Sequence, residues 1–353
     1  MNCEICFRHS WGDEPFSDME SGLFQTVMAT MPRSVETVFF GGMGEPLVHP
    51  DIIGLVDQAA ARGRRVELLT NATLLDPEMS RRLIESGLNM LWISADSFSP
   101  QDPAGREPNH SFAQIRDNIR TFNKERFKAG RDIRLGLNFV VSKSNADQLP
   151  LLPSFSRRYH INEVNVSNVI AHNRKAEREI LYDKVLNNNL GGVFDPEAPL
   201  IKLPFMNWRQ QEAIDGVKGV LASSGVDICL GGHPFTRQAR HCRFIDEGTA
   251  FVRHDGQVSP CMALLHSGQA FWNGRRRAVY HHSFGRVGPQ GLEDIWNSVE
   301  YAEFRERVKV FDFSPCIQCT GCELSEDNVA DCYGSPQPTC GACLWAEGII
   351  SCP

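Results

Sequence analysis

The 353-residue chain contains no apolar run approaching the ~18 residues that a membrane-spanning helix requires, so no membrane partner is expected. It also lacks an excess of positive charge. Lys and Arg total 36 against 43 Asp and Glu, a net charge of −7. Nucleic acids attract the opposite balance, and none is an expected partner. No secretory signal opens the sequence, and no repeat or low-complexity tract interrupts it. Its 42% hydrophobic and 22% charged residues are ordinary for a soluble globular protein, long enough for one full-sized domain and a smaller second one.

Cysteine is what the chain has in excess. Of 12 cysteines, nine lie from Cys242 onward, mostly in Cys-x-x-Cys groups. Such spacing favours metal or cluster ligation in a reducing compartment over a disulfide framework, so the cytoplasm is the expected location.

The amino terminus reads Met1-Asn2-Cys3-Glu4-Ile5-Cys6-Phe7. A Cys-x-x-Cys there is compatible with a redox pair, half a zinc site, or part of an iron–sulfur ligand set. About 35 positions later comes Gly41-Gly42-Met43-Gly44-Glu45-Pro46, after the apolar Val38-Phe39-Phe40 and before a predicted helix. Glycines in that position let the backbone come close to a small polar ligand.

Taken together, these two stretches resemble the opening of radical S-adenosylmethionine (radical SAM) enzymes: Cys-x3-Cys-x-φ-Cys, a strand, then Gly-Gly-x-Glu-Pro. The resemblance implies a four-iron cluster held by three thiolates, its fourth iron open to SAM. Cys3 and Cys6 match two of those ligands, with Ile5 at the φ position. The third would fall two residues before Met1. On this reading Met1 is an internal methionine, and the chain lacks one ligand and its first barrel strand.

From Thr37 to about Asn168, short apolar strands alternate with amphipathic helices. Strands are expected at 37–41, 66–70, 90–94, 133–141 and 164–169. Helices between them carry Ile52, Leu55, Val56, Ala59 and Ala60, then Leu83 and Ile84, then Phe112, Ile115, Ile119 and Phe122, then Leu152 and Phe155. Asp76-Pro77 reads as a helix start, and Gly63, Gly87 and Gly130 as stops. Regular alternation predicts an α/β fold with a parallel sheet and ligands at the carboxyl ends of its strands. With a restored first strand the count is six, the partial (β/α)6, TIM-like barrel that the resemblance implies. The family holds SAM at such strand ends, which carries over to Gly41, Gly42, Gly44, Glu45, Asn71, Ser94, Asp96 and Asn138.

The expected organisation is a barrel over 1–171, a linker or bridging segment over 172–240, and a cysteine-rich domain over 241–353. The middle segment carries the charged run Arg174–Arg178, Asn187–Asn189, and Pro196, Pro199 and Pro204. Phe205 and Trp208 are expected to pack, and Cys229 to be a buried structural thiol.

In the last segment, Cys242 is followed by Gly256, Cys261, the helical Leu292–Trp296, and Cys316-Ile-Gln-Cys319-Thr-Gly-Cys322. Cys332, Cys340-Gly-Ala-Cys343 and Cys352-Pro353 complete the set. The order up to Cys319 resembles the SPASM extension of radical SAM enzymes, which implies one or two auxiliary 4Fe–4S clusters. Beyond Cys319 the spacing departs from that family, and the partition of ligands stays open. Cys319-x2-Cys322 and Cys340-x2-Cys343 also satisfy zinc-ribbon spacing. Zinc would leave Cys242, Cys261 and Cys352 without a shared role, and so many exposed thiols would invite oxidation.

The stretch from Cys322 to Pro353 is similar to that of maturases serving tungsten-dependent aldehyde ferredoxin oxidoreductases. The resemblance as a whole implies reductive cleavage of SAM to a 5′-deoxyadenosyl radical that abstracts hydrogen from a protein, peptide or cofactor precursor. It implies, too, an electron donor such as a ferredoxin or flavodoxin. The alternative is a catalytically inactive, metal-stabilised binding protein. Asp255, His241, His281 and His282 lie near the cysteines, but nothing in their spacing assigns a general acid or base.

Overall fold

The apolar runs of the first half become strands of a parallel sheet. In the computed structural model, residues 6–11, 17–97, 112–182, 227–230, 241–319 and 322–353 are described. Six strands lie in chain order: β1 (Thr37–Phe40), β2 (Arg65–Thr70), β3 (Met90–Ala95), β4 (Arg134–Val141), β5 (Glu163–Asn168) and β6 (Asp227–Leu230). All neighbouring pairs are parallel. Sequential parallel order with intervening helices is the arrangement of a partial barrel.

One strand lies where none was expected. Residues 172–240 were read as a linker or bridging segment. Instead the sixth described strand is Asp227–Leu230, hydrogen-bonded in register to β5 from Glu163↔Asp227 to Val166↔Leu230. The apolar Ile228 and Leu230 alternate there, a four-residue signal too short to separate from a loop. Phe205, Trp208, the Asn187–Asn189 run and the Cys229 side chain lie outside the described residues.

Side-chain alternation divides the sheet into two faces. Leu68, Leu91, Ile93, Leu135, Leu137, Phe139, Val164 and Val166 pack on the helices, all in one apolar core. Those helices are α1 (Ser21–Thr30), α2 (Ile52–Ala61), α3 (Pro77–Glu85), α4 (Phe112–Lys128) and α5 (Leu152–Tyr159). In α2, Ile52, Leu55, Val56 and Ala59 form the buried stripe. Asp76 caps α3 by accepting from the Met79 amide at 2.8 Å, with Pro77 in the first turn.

The other face of the sheet lines the barrel interior. Trp92 fills its lower part, donating from Nε1 to Glu67 at 2.9 Å. The indole needs Gly136 beside it, because a Cβ there would stand 2.2 Å from Trp92. Higher on the same face sit Ser94, Asn138 and Asn165, adjacent in register across β3, β4 and β5.

The cysteine-rich half is built from two small antiparallel hairpins and short helices. Phe251–Val252 (β7) pairs with Val258–Ser259 (β8), and Gly268–Trp272 (β9) with Arg275–Val279 (β10). Helices Leu292–Trp296 and Val299–Val310 pack with the first hairpin in one apolar cluster. This half is fastened to α1: Val27 belongs to the apolar cluster of Ile245, Val258, Ile295, Tyr301 and Phe304, and the Leu292 amide donates to Thr30 Oγ1 at 3.0 Å.

Candidate functional site

The glycine turn after β1 is shaped by two glycines with different reasons. Gly42 adopts φ +102°, in the region that favours glycine, and a Cβ on Gly41 would collide with the Phe39 ring at 2.3 Å. Gly44 has neither constraint, since a Cβ there would point into open space. That space is what a bound ligand could occupy.

Glu45 holds the turn to the end of β2. Its Oε1 accepts from Thr70 Oγ1 at 2.7 Å and the Leu47 amide at 3.1 Å, and its Oε2 from the Asn71 amide at 2.8 Å. Burial raises its pKa, and these hydrogen bonds oppose the rise. Asn71 turns its own Oδ1 to the Thr73 amide and hydroxyl. Glu45 and Asn71 therefore brace the two adjoining loops.

Ser94 and Asp96 lie at the carboxyl end of β3, where the Asp96 carbonyl accepts from Asn145 at 2.7 Å. Asn138 sits mid-strand and accepts from Asn165 Nδ2 at 2.6 Å. All the sequence-derived SAM-site positions thus fall on one rim or on the inner face below it. Three residues outside that set join them. Asn165 accepts from the Ser351 hydroxyl, Ser167 Oγ accepts from the Ser351 amide at 3.0 Å, and Asn168 donates to the Ile349 carbonyl at 2.9 Å. The alternation Asn165, Ser167 within Val-flanked β5 was a usable signal; the tail that docks there was not.

Of the two amino-terminal cysteines, Cys3 lies outside the described residues, and Cys6 is half-buried. The segment that follows Cys6 turns against the cysteine-rich half. Trp11 stacks on His266 with ring centroids 3.8 Å apart and 16° between planes. Ser10 closes on Gly268, and Met43 of the glycine turn packs against Phe244, Cys261, Met262, Leu264 and Leu265. The glycine turn and the segment after Cys6 accordingly meet the loop after Cys261.

The structure also groups the later cysteines. Cys242 and Cys340 pack on one apolar cluster, Cys242 and Cys261 share another, and the Cys343 amide donates to the Cys340 carbonyl at 3.0 Å. Burial pushes Cys242 up to about 12, with Cys343 adding to it. Burial likewise lifts Cys261 and Cys340 well above the ordinary thiol range, and each is further raised by Cys343 and Cys242. Cys343 is raised by burial as well. Burial thus disfavours the thiolate form at all four positions, and a bound cation is what would favour it.

Among the described residues, no three His, Cys, Asp or Glu side chains converge tightly enough for a single ion. A buried hydroxyl of Tyr301 and one of Thr339 lack hydrogen-bond partners in the same region.

A second group comprises Cys316, Cys319 and Cys322. Cys316 is buried and shares a 2.9 Å hydrogen bond with Ser314 Oγ. Arg275 donates to the carbonyls of Cys319 and Cys322, and Arg277 to that of Ser325 at 2.8 Å, so β10 clamps this loop. Cys332 is exposed and stands apart. Cys352 is half-buried, receives the Trp345 indole N–H at 3.3 Å, and its thiol is pushed up to about 11 by desolvation.

Of the remaining titratable candidates, Asp255 is occupied by Arg253 and Gln257, and His281 by Gln257. These are turn contacts, and they leave acid–base chemistry unassigned.

Residues 1–140 match the Radical SAM superfamily, and residues 242–323 match the iron–sulfur cluster-binding SPASM domain. Over its whole length the chain is 29% identical to the tungsten-containing aldehyde ferredoxin oxidoreductase cofactor-modifying protein of Pyrococcus furiosus, covering 94% of that protein. It is 21% identical to an AdoMet-dependent heme synthase of Methanosarcina barkeri, covering 96% of this chain and 92% of the other. Among solved structures, native anSMEcpe with bound AdoMet superposes with TM-score 0.59 at 14% identity, covering 98% of this chain and 91% of that one. Streptococcus suis SuiB bound to precursor peptide SuiA gives 0.57 at 14%, covering 90% and 66%.

Proposed function

We propose that this radical SAM enzyme with a SPASM domain is a maturase acting on a protein, peptide or cofactor precursor, its target belonging to a tungsten-containing oxidoreductase. Its cofactors are SAM, a 4Fe–4S cluster and auxiliary iron–sulfur clusters. When bound, they supply one-electron cleavage of SAM and a path for the electron recovered from substrate.

The observation that carries the reading is the meeting of three features at one place. The glycine turn and the segment after Cys6 face the loop following Cys261, and Cys261 itself belongs to the buried four-thiol group. On this reading Cys3 and Cys6 ligate the SAM-cleaving cluster. Gly41, Gly42 and Gly44 let the backbone reach SAM, with Glu45 and Asn71 fixing the turn. Ser94, Asp96 and Asn138 supply polar contacts at the rim. Cys242, Cys261, Cys340 and Cys343 hold one auxiliary cluster, and Cys316, Cys319 and Cys322 contribute to a second. Cys332 and Cys352 belong to the candidate ligand set with less geometric support. The target follows from the full-length similarity to the Pyrococcus furiosus protein and from the similar tail. A reducing cytoplasm and a ferredoxin- or flavodoxin-type donor complete the reading; no helix among the described residues is long and apolar enough to cross a membrane.

The test is reconstitution with iron and sulfide under argon, reduction, addition of SAM, and assay for 5′-deoxyadenosine. It is run on the chain and on a version carrying Cys-Asn and a strand ahead of Met1, which supplies a third thiolate. Product from the extended form supports the reading. Full iron loading without product from either form overturns it.

A further inference from the structure

Tyr301 is the largest polar side chain in the cysteine-rich half that is wholly buried, with no exposed surface. Its ring is held on every side. Phe284 stacks on it at 4.3 Å with 6° between planes, Trp296 meets it edge-on at 5.2 Å, and Arg305 lies 4.7 Å above its centre. Arg305 also sits 4.0 Å over Trp296 and donates to the Trp296 carbonyl at 2.6 Å, so the guanidinium is fixed. Such packing leaves the phenol no rotamer by which to escape to water.

Yet the Tyr301 hydroxyl has no hydrogen-bond partner among the described residues. Burying an unsatisfied hydroxyl costs about 1–3 kcal/mol, and phenylalanine would fill the same volume without that cost. A native orphan of this kind calls for an acceptor that the polypeptide does not itself provide. Tyr301 belongs to the apolar cluster on which Cys242 and Cys340 pack. Burial above all pushes the phenol above its ordinary range, so the O–H stays protonated, as a donor; Arg305 opposes that rise, and Cys261 and Cys242 of the four-thiol group add to it.

We propose that the Tyr301 hydroxyl donates a hydrogen bond to a sulfur of the cluster held by Cys242, Cys261, Cys340 and Cys343, and thereby raises its reduction potential. Reduction places extra negative charge on the cluster sulfurs, so a donor fixed beside them stabilises the reduced state more than the oxidised one. Arg305 over the ring withdraws electron density and strengthens the donor. Tyr301 acts here as a positioning and tuning residue, not a ligand. The inference rests on the assignment of those four cysteines to one auxiliary cluster.

The experiment is a redox titration of the full reconstituted chain, followed by electron paramagnetic resonance, with Cys261→Ala identifying which feature belongs to this cluster. If Cys261→Ala retains every feature of the wild type, the ligand assignment falls, and the inference with it. Given that assignment, Tyr301→Phe is expected to keep its iron content but to lower the potential of that feature alone. The expected shift is about tenfold in the reduction equilibrium, ~59 mV for one electron. An unchanged potential in fully loaded Tyr301→Phe overturns the hydrogen bond. Should that variant load poorly, fluorotyrosine is incorporated throughout the unmutated chain. A more acidic phenol must then raise the same potential, and no shift overturns the proposal.

Discussion

Ser351 donates its hydroxyl to Asn165, a residue 186 positions earlier in the chain, on the inner face of β5. Asn165 passes a donor on to Asn138, and the Ser351 amide binds Ser167 at 3.0 Å. Through this one residue the end of the cysteine-rich half is sewn into the polar interior of the sheet. Cys352, the next residue, takes its position from the same contacts and from Arg243, which donates to its carbonyl at 2.7 Å.

Replacing Asn165 with alanine removes the shared partner of Ser351 and Asn138 and strands buried polar atoms on both. The cost expected is about 1–3 kcal/mol, visible as a lower denaturant midpoint. Ser351→Ala leaves the Asn165–Asn138 bond in place and is expected to cost less. Equal losses in the two variants would mean that the interior chain of hydrogen bonds does not act as one unit.

Two glycine-to-alanine changes separate stability from ligand binding. In Gly136→Ala the new methyl would stand 2.2 Å from Trp92, so overpacking of about 1–3 kcal/mol is expected. Gly44→Ala meets nothing within the chain and should melt as the wild type does. Its methyl enters the open space of the turn, and SAM affinity measured by calorimetry is expected to fall about tenfold or more. Unchanged affinity would place SAM elsewhere.

Glu45 supplies a pH test. Burial first, against three hydrogen bonds, raises its pKa in the folded state above 4.5. The fold then binds a proton more readily than the unfolded chain does. This contribution to stability is present below the ordinary carboxylate range and is lost as pH rises through the folded value. Glu45→Gln, which cannot titrate, should show a flatter dependence of unfolding free energy on pH just above 4.5. Parallel curves for the two proteins would contradict the perturbed carboxyl.

Iron analysis tests the cysteine grouping. Serine at Cys242, Cys261, Cys340 or Cys343 is expected to remove about four irons per chain, one cluster, in each case. Serine at Cys332, exposed and apart, is expected to leave iron unchanged. Loss of iron from Cys332→Ser comparable with the others would redraw the partition.

Aerobic purification followed by metal analysis separates zinc from iron. The expected result is iron with loss of colour in air, since exposed sulfide clusters oxidise. Stoichiometric zinc that survives air and chelator would restore the ribbon pairing of Cys319 and Cys322 with Cys340 and Cys343.

The alternation of apolar strands and amphipathic helices, the glycine turn, and the presence of two cysteine-bearing regions were all legible along the chain. Each is a local matter: period-two and period-3.6 patterning, caps at Asp76, and φ at Gly42 depend on residues a few positions apart. Five of the six sheet strands were placed to within about a residue for that reason. Strand Asp227–Leu230 was not, because four residues carry too little periodicity and its pairing with β5 is made across some sixty positions. The docking of Ser351 on Asn165, the Trp11–His266 stack and the enclosed Tyr301 hydroxyl were decided only by tertiary structure. Spacing counts residues between thiols but not the path of the chain between them. Burial, which raises those thiols and isolates that hydroxyl, exists only once distant segments have packed together.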